Sequence, residues 1–133
     1  MAEKIKIHCG SALEELKEEP LNYPVHGRDL RTGIPKEIKV SYKEIAKALN
    51  NTIERIEEAV SAALFNTPPE LSADIYNTGI YLTGGGSLLR GLNQRLKQKT
   101  KLPVHIPEDP LRAVAQGTGF ALRNTDKFPF LIR

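Results

Sequence analysis

Ile80-Tyr81-Leu82-Thr83-Gly84-Gly85-Gly86-Ser87-Leu88-Leu89-Arg90 joins a short apolar run, three successive glycines and the start of an amphipathic pattern. Residues without Cβ permit φ > 0 and let a ligand lie against the backbone. A helix after such a turn presents unpaired N–H groups and the positive end of its dipole. This combination suits a flat base, a ribose or a phosphate; a tight turn without a ligand is the competing reading. The stretch is not a dinucleotide fingerprint, because Leu89 stands where the third glycine of G-x-G-x-x-G belongs. Nor is it a P-loop, since no Gly-Lys-Ser/Thr follows.

Around the glycines, the pattern reads strand–helix–strand–helix. Ile80 to Thr83 is expected as a short buried strand and Ser87 as the N-cap of a helix. Leu88, Leu89, Leu92 and Leu96 share one face of that helix, and Lys97, Lys99 and Lys101 suit its negative dipole end. Pro103 to Ile106 reads as a second strand. Asp109-Pro110 places a cap before a first-turn proline, with a last helix expected from Leu111 to about Leu122. Gly117 and Gly119 within it cost about 1 kcal/mol each relative to Ala, which points to close approach by another backbone. A parallel strand pair with a right-handed crossover follows. Ligands in such sheets bind beyond the carboxyl ends of the strands, where the glycines sit.

Upstream, residues 2–9 read as a helix with no Ser, Thr, Asp or Asn as N-cap, as though continued from something longer. Gly10 interrupts it, and Ala12 to Glu19 holds good helix formers before Pro20. Tyr23–Leu30 and Ile34–Val40 form an expected hairpin around Arg31-Thr32-Gly33, with Pro24 and Pro35 at edge positions or strand starts. Ser41-Tyr42-Lys43-Glu44 is a capping box. Ile45, Leu49, Ile53, Ile56, Val60, Ala63 and Leu64 continue it as one apolar stripe of core character, with Asn50-Asn51 a place to bend. Thr67-Pro68-Pro69 ends this helix, and Pro69-Glu70-Leu71 opens a short one.

The chain has 133 residues, enough for one domain with a core, and a net charge of +3. No apolar run approaches the roughly 18 residues of a membrane span, and the first residues lack the apolar core of a signal peptide. The single cysteine, Cys9, excludes an internal disulfide and reads as a small core residue in a reducing compartment. His8, His26 and His105 are scattered, so no metal site is expected. Between Asp74 and Glu108 there is no acid, while Arg90, Arg95, Lys97, Lys99 and Lys101 fall there. Without interleaved aromatics this reads as a solvated helix face rather than a nucleic-acid footprint.

Leu82-Thr83-Gly84-Gly85-Gly86-Ser87-Leu88-Leu89-Arg90-Gly91-Leu92 resembles the adenosine motif of the MreB family of bacterial actin homologues. Ala2-Glu3-x-x-Lys6 is similar to that family's Ala-Glu-x-x-Lys helix. Val25-His26-Gly27-Arg28-Asp29-Leu30 with Gly33-Ile34-Pro35 resembles its hairpin. Pro68-Pro69-Glu70-Leu71-x-x-Asp74-Ile75 and Glu108-Asp109-Pro110-Leu111-x-x-Val114-Ala115-x-Gly117-Thr118-Gly119 resemble further signatures, so the likeness covers nearly the whole chain in order.

The resemblance implies an α/β, actin-like (ribonuclease H-like) fold fragment: the C-terminal two-fifths of such a protein, subdomain IIB plus the C-terminal part of subdomain IIA. Residues 1–19 would be a IIA helix with a connector, 20–76 subdomain IIB, and 77–133 the C-terminal part of IIA. Glu3 and Lys6 would contact ribose or base; Gly84, Gly85 and Gly86 would let adenine and the α-phosphate lie against the backbone; Ser87 and Leu88 would line the helix start. Without the resemblance, Glu3 and Lys6 are an ordinary surface pair. The family takes ATP or ADP with Mg²⁺ through two Asp-containing glycine loops that this sequence does not contain, so no bound cofactor, no hydrolysis and at best weak nucleotide binding are expected here. The family further implies a weak ATPase that polymerises into membrane-associated filaments in the cytoplasm, guides cell-wall synthesis with the elongation machinery at the inner membrane, and sets rod shape. Partners would be copies of itself, not nucleic acid. Exposed apolar surface is expected where further IIA strands would pack. Another actin-superfamily ATPase, of chaperone or plasmid-segregation type, and a basic nucleic-acid-binding module are the competing readings.

Overall fold

The computed structural model describes residues 1–128; the last five residues of the third expected segment lie outside the described residues. Helix α1, Ala2–Cys9, starts without a side-chain cap and stops where the Gly10 N–H donates to the Lys6 carbonyl. Gly10 then turns extended, at φ −63° and ψ 135°. Ala12 to Glu19 is irregular rather than helical. The Ser11 hydroxyl donates to Leu13 O and accepts from Leu13 N, while Ala12 N donates to Arg90 O. Those bonds take the backbone groups a helical start would need, so tertiary anchoring overrides propensity.

Strands β1, Tyr23–Arg28, and β2, Pro35–Val40, form an antiparallel hairpin. Its turn is held by Asp29, whose carboxylate accepts from Arg31 N and Thr32 N, and by Gly33 at φ +72°. Helix α2, Tyr42–Phe65, opens on the expected capping box: Ser41 Oγ accepts from Glu44 N, and Ser41 N donates to Glu44 Oε2. It runs as one element through Asn50-Asn51. Its buried positions are Tyr42, Ala46, Ile53 and Glu57, so the expected stripe is core only in part. Ile56 is 42% exposed, because no element among the described residues covers the outer flank of the helix there.

Helix α3, Pro69–Thr78, has proline at its first position and ends at Gly79, φ +78°. Strands β3, Ile80–Tyr81, and β4, Val104–His105, pair in parallel, Ile80 opposite Val104. The pair is short and open-faced rather than buried: Tyr81 is 65% exposed. Helix α4 spans Leu92–Thr100. Ser87 does not cap it; the helix begins after Gly91, which takes the left-handed conformation at φ +78°. Helix α5, Ala113–Arg123, starts two residues later than the sequence implies, since Asp109 holds the preceding turn by accepting from Arg112 N. No residue of α5 is buried, and a Cβ at Gly117 or Gly119 would meet open space, so the expected close backbone approach is absent among the described residues.

Ala12, Ile53, Leu92 and Leu96 form the core, with Leu49, Val60, Leu82, Leu89 and Val104 packed on it. It joins α2 to α4 and to the ends of the parallel pair. Arg95 locks the same junction, donating Nε–H to Glu57 Oε1 at 2.6 Å and Nη1–H to Ala12 O at 3.1 Å. Large apolar side chains stay exposed around α5 and the parallel strands, among them Leu88, Leu111, Val114 and Phe120.

Candidate functional site: the glycine turn

β3 delivers the chain to Gly84, which takes φ +78° and ψ 176°, a region closed to side-chain-bearing residues. A tight 3₁₀ turn over Gly85–Leu88 follows. The turn is pinned from two directions. Gly84 N donates to Pro110 O at 2.7 Å, and the Ser87 hydroxyl donates to Gly84 O at 2.7 Å. Ser87 is therefore a brace inside the turn, 4% exposed, and its hydroxyl is spent on the loop.

The glycines leave a bare backbone surface. Among the described residues, a Cβ at Gly84 or Gly86 would meet no atom within 4 Å beyond its chain neighbours, and one at Gly85 would meet only Leu111 Cδ2 at 3.6 Å. No packing demand of the fold requires glycine at 85 or 86, so the missing side chains leave room for something external. Leu88, 59% exposed, and Leu111, 67% exposed, flank that surface with apolar contact. A flat ring system would find a backbone floor and aliphatic edges here.

Arg90 ties the turn to α1. Its Nη1 donates to His8 O at 2.8 Å, satisfying a carbonyl at the C-terminal end of that helix. Ser11 and Arg90 also form a parallel bridge. Along α1, Lys6 lies about 3 Å and Glu3 about 7.5 Å from His8 at 1.5 Å per residue. The Lys6 ammonium and Glu3 carboxylate pair with each other at 2.9 Å, both largely exposed. Burial pushes the Cys9 thiol up from its ordinary value, with the nearby Arg90 charge opposing.

The structure thus brings Gly84 to Leu88 into one turn and links it through Arg90 to the helix bearing Glu3 and Lys6. Three contributors escaped the sequence reading. Pro110 and Leu111 anchor and flank the turn, although Asp109-Pro110 signalled only a helix start. Arg90 stood among the basic residues as a solvated charge. Two clefts of the surface lie elsewhere: one of about 390 Å³ is lined by Ala12, Glu57, Arg95 and Lys99, among others, and an apolar groove of about 560 Å³ runs along α2. The glycine turn is in neither; it is one open wall, not an enclosed pocket.

A family model described as MreB/Mbl protein matches residues 1–129. The cell shape-determining protein Mbl of Bacillus subtilis (strain 168) is 43% identical over 128 residues, covering 96% of this chain and 38% of that protein. The cell shape-determining protein MreB of Escherichia coli (strain K12) is 43% identical over 127 residues, 94% of this chain and 35% of that protein. The crystal structure of MreB5 of Spiroplasma citri bound to ADP superposes with a TM-score of 0.84 at 36% identity, over 95% of this chain and 38% of the other. The chain therefore spans little more than a third of the length of these relatives. The α/β fold is actin-like, matching one part of those structures.

Proposed function

This chain belongs to the MreB/Mbl family, and from that premise we propose that it supplies the adenosine-facing side of an actin-like nucleotide site in a cell-shape-determining filament protein. The observation that carries the reading is the bare backbone at Gly84, Gly85 and Gly86, held by Pro110 and Ser87, where among the described residues only Leu111 comes within ordinary contact of a built Cβ. Adenine would lie on Gly85 and Gly86 between Leu88 and Leu111. Lys6 and Glu3, paired with each other at the surface, would exchange that pair for contacts to the ribose. A related protein, MreB5 of Spiroplasma citri, has been crystallised with ADP. When bound, the nucleotide would supply the charged phosphate end with its Mg²⁺; the residues of this chain only seat the nucleoside.

Phosphoryl transfer depends on positioned cations and acids around the phosphates, and the Asp-containing glycine loops are not in this sequence. The chain should bind ADP weakly, with Kd near about 1 mM or about −4 kcal/mol, and should not turn over ATP. Self-association into membrane-associated cytoplasmic filaments that guide cell-wall synthesis belongs to the same proposal. No helix of the described residues is long and apolar enough to cross a membrane. The basic nucleic-acid module is disfavoured because Arg90 holds the His8 carbonyl at the surface and Arg95 is engaged by Glu57 in the α2–α4 junction.

The test is fluorescence titration with a labelled ADP against Gly86→Val. That side chain would enter open space, so the fold should tolerate it while the nucleoside surface is filled. Binding lost in the variant with unchanged circular dichroism supports the reading. Equal binding by both proteins, or phosphate release from ATP above background, refutes it.

A further inference from the structure

The hairpin is a two-stranded sheet among the described residues, and Pro35 to Lys39 is exposed throughout. Its ladder fixes which backbone groups face out. Asp29 N donates to Ile34 O, and antiparallel pairs alternate between bonded and non-bonded. With Val25 opposite Ile38 and His26 opposite Glu37, residues 36, 38 and 40 turn their N–H and C=O groups toward β1. Residues 35, 37 and 39 turn theirs outward. Pro24 and Pro35 both fall on outward positions, where a missing N–H costs no ladder bond.

We propose that the outer edge of β2 pairs antiparallel with the same edge of a second copy of this chain, about a two-fold axis through Ile38. In this register Glu37 stands opposite Lys39 of the second copy, and Lys39 opposite its Glu37. The outward N–H and C=O groups of both residues close four backbone hydrogen bonds across the axis. Ile38 meets its own copy as a non-bonded pair, the closer of the two pair types. On the other face, each Glu37, already 3.0 Å from His26, gains a lysine on its free side.

Lysines normally guard an exposed edge against pairing. Here Lys39 is matched by Glu37, and the charge order reads the same from either copy. The edge of β1 lacks this property: a two-fold through His26 sets Arg28 against Pro24, which has neither a charge nor an N–H. The apolar face around α5 offers nothing that names its occupant. The contact is isologous and closed, so it joins two chains and stops. It is small and therefore weak and concentration-dependent. It does not involve the glycine turn, so its failure and that of the nucleotide reading are read separately.

Oxidative cross-linking in a Cys9→Ala background tests it. Ile38→Cys should give a covalent dimer at least tenfold faster than Lys36→Cys, whose two copies lie four residues apart, about 13 Å along the strands. Glu37→Lys or Lys39→Glu added to Ile38→Cys should slow cross-linking at least fivefold, because like charges then face each other. Both exchanges together should restore it. All four strand positions are exposed, and circular dichroism checks that each variant folds. Equal rates at positions 36 and 38, or no rescue by the double exchange, would overturn the proposal.

Discussion

Replacing Glu57 by alanine should destabilise the chain far more than an ordinary surface change. The Glu57 carboxylate is 9% exposed and accepts from Arg95 Nε at 2.6 Å; the arginine side chain is 17% exposed. Removing one partner of a buried ion pair costs about 3–5 kcal/mol, because the other charge stays buried and uncompensated. Two features set the value here. Arg95 keeps one bond, to Ala12 O at 3.1 Å, and the pair borders the cleft of about 390 Å³ through which water reaches the guanidinium. Both place the loss at the low end, about 3 kcal/mol. With a urea m-value of about 1.5 kcal/mol/M, the midpoint should fall by about 2 M. Total stability of a domain this size is about 5–15 kcal/mol, so the variant would be close to unfolding. The double variant Glu57→Leu with Arg95→Met removes both charges and should lie within about 1 kcal/mol of the parent. Urea unfolding followed by circular dichroism measures all three. A Glu57→Ala midpoint shift below about 0.5 M, or a double variant no better than the single, would refute the claim that this pair holds α2 to α4.

Gly79→Ala should cost at least about 2 kcal/mol, since φ is +78° and the new methyl would meet the Pro103 carbonyl oxygen. Gly117→Ala, at an ordinary helical position facing open space, should instead stabilise by about 0.5–1 kcal/mol; thermal unfolding of the two variants checks both signs. Acid should weaken the turn and the cap of α2 together. Backbone N–H groups of Thr32 and Arg31 hold the Asp29 carboxyl below its ordinary value, and the Ser41 N–H does the same for Glu44. Their stabilisation is complete above the unfolded-state values near about 4 and is lost as pH falls through the lower folded values. Stability profiles of Asp29→Asn and Glu44→Gln should be flatter than the parent's in that window, and an unchanged slope would contradict the assignment.

Local chemistry made much of the fold legible. Ser41 and Glu44 announce the start of α2 because a capping box needs only residues three apart, and Asp29 with Gly33 specifies a turn by the same short reach. The parallel β3–β4 pair follows from the strand–helix–strand–helix order of the second half. What stayed hidden depends on distant partners. Ser87 looks like a helix cap, yet its hydroxyl donates to Gly84 O inside the turn, and the left-handed Gly91 delays α4. Ala12 to Glu19 has helical composition, but Ser11, Ala12 and Arg90 bind one another across the chain and divert it. Glu57 and Arg95 are 38 residues apart, and nothing in their neighbourhoods marks them as a pair. At the candidate site, the glycines stand out in sequence, whereas Glu3 and Lys6 read as an ordinary surface pair and are singled out only by the family resemblance. The brace from Pro110 and the tie through Arg90 emerge only in three dimensions.

Amide chemical shifts of the ¹⁵N-labelled chain during an ADP titration test the central claim most directly. The account predicts that the largest shifts fall on Gly84 to Leu88 and Leu111, with smaller ones at Glu3 and Lys6, and that Gly86→Val erases them. Shifts centred instead on the cleft beside Arg95 and Lys99, with the glycine turn silent, would contradict it.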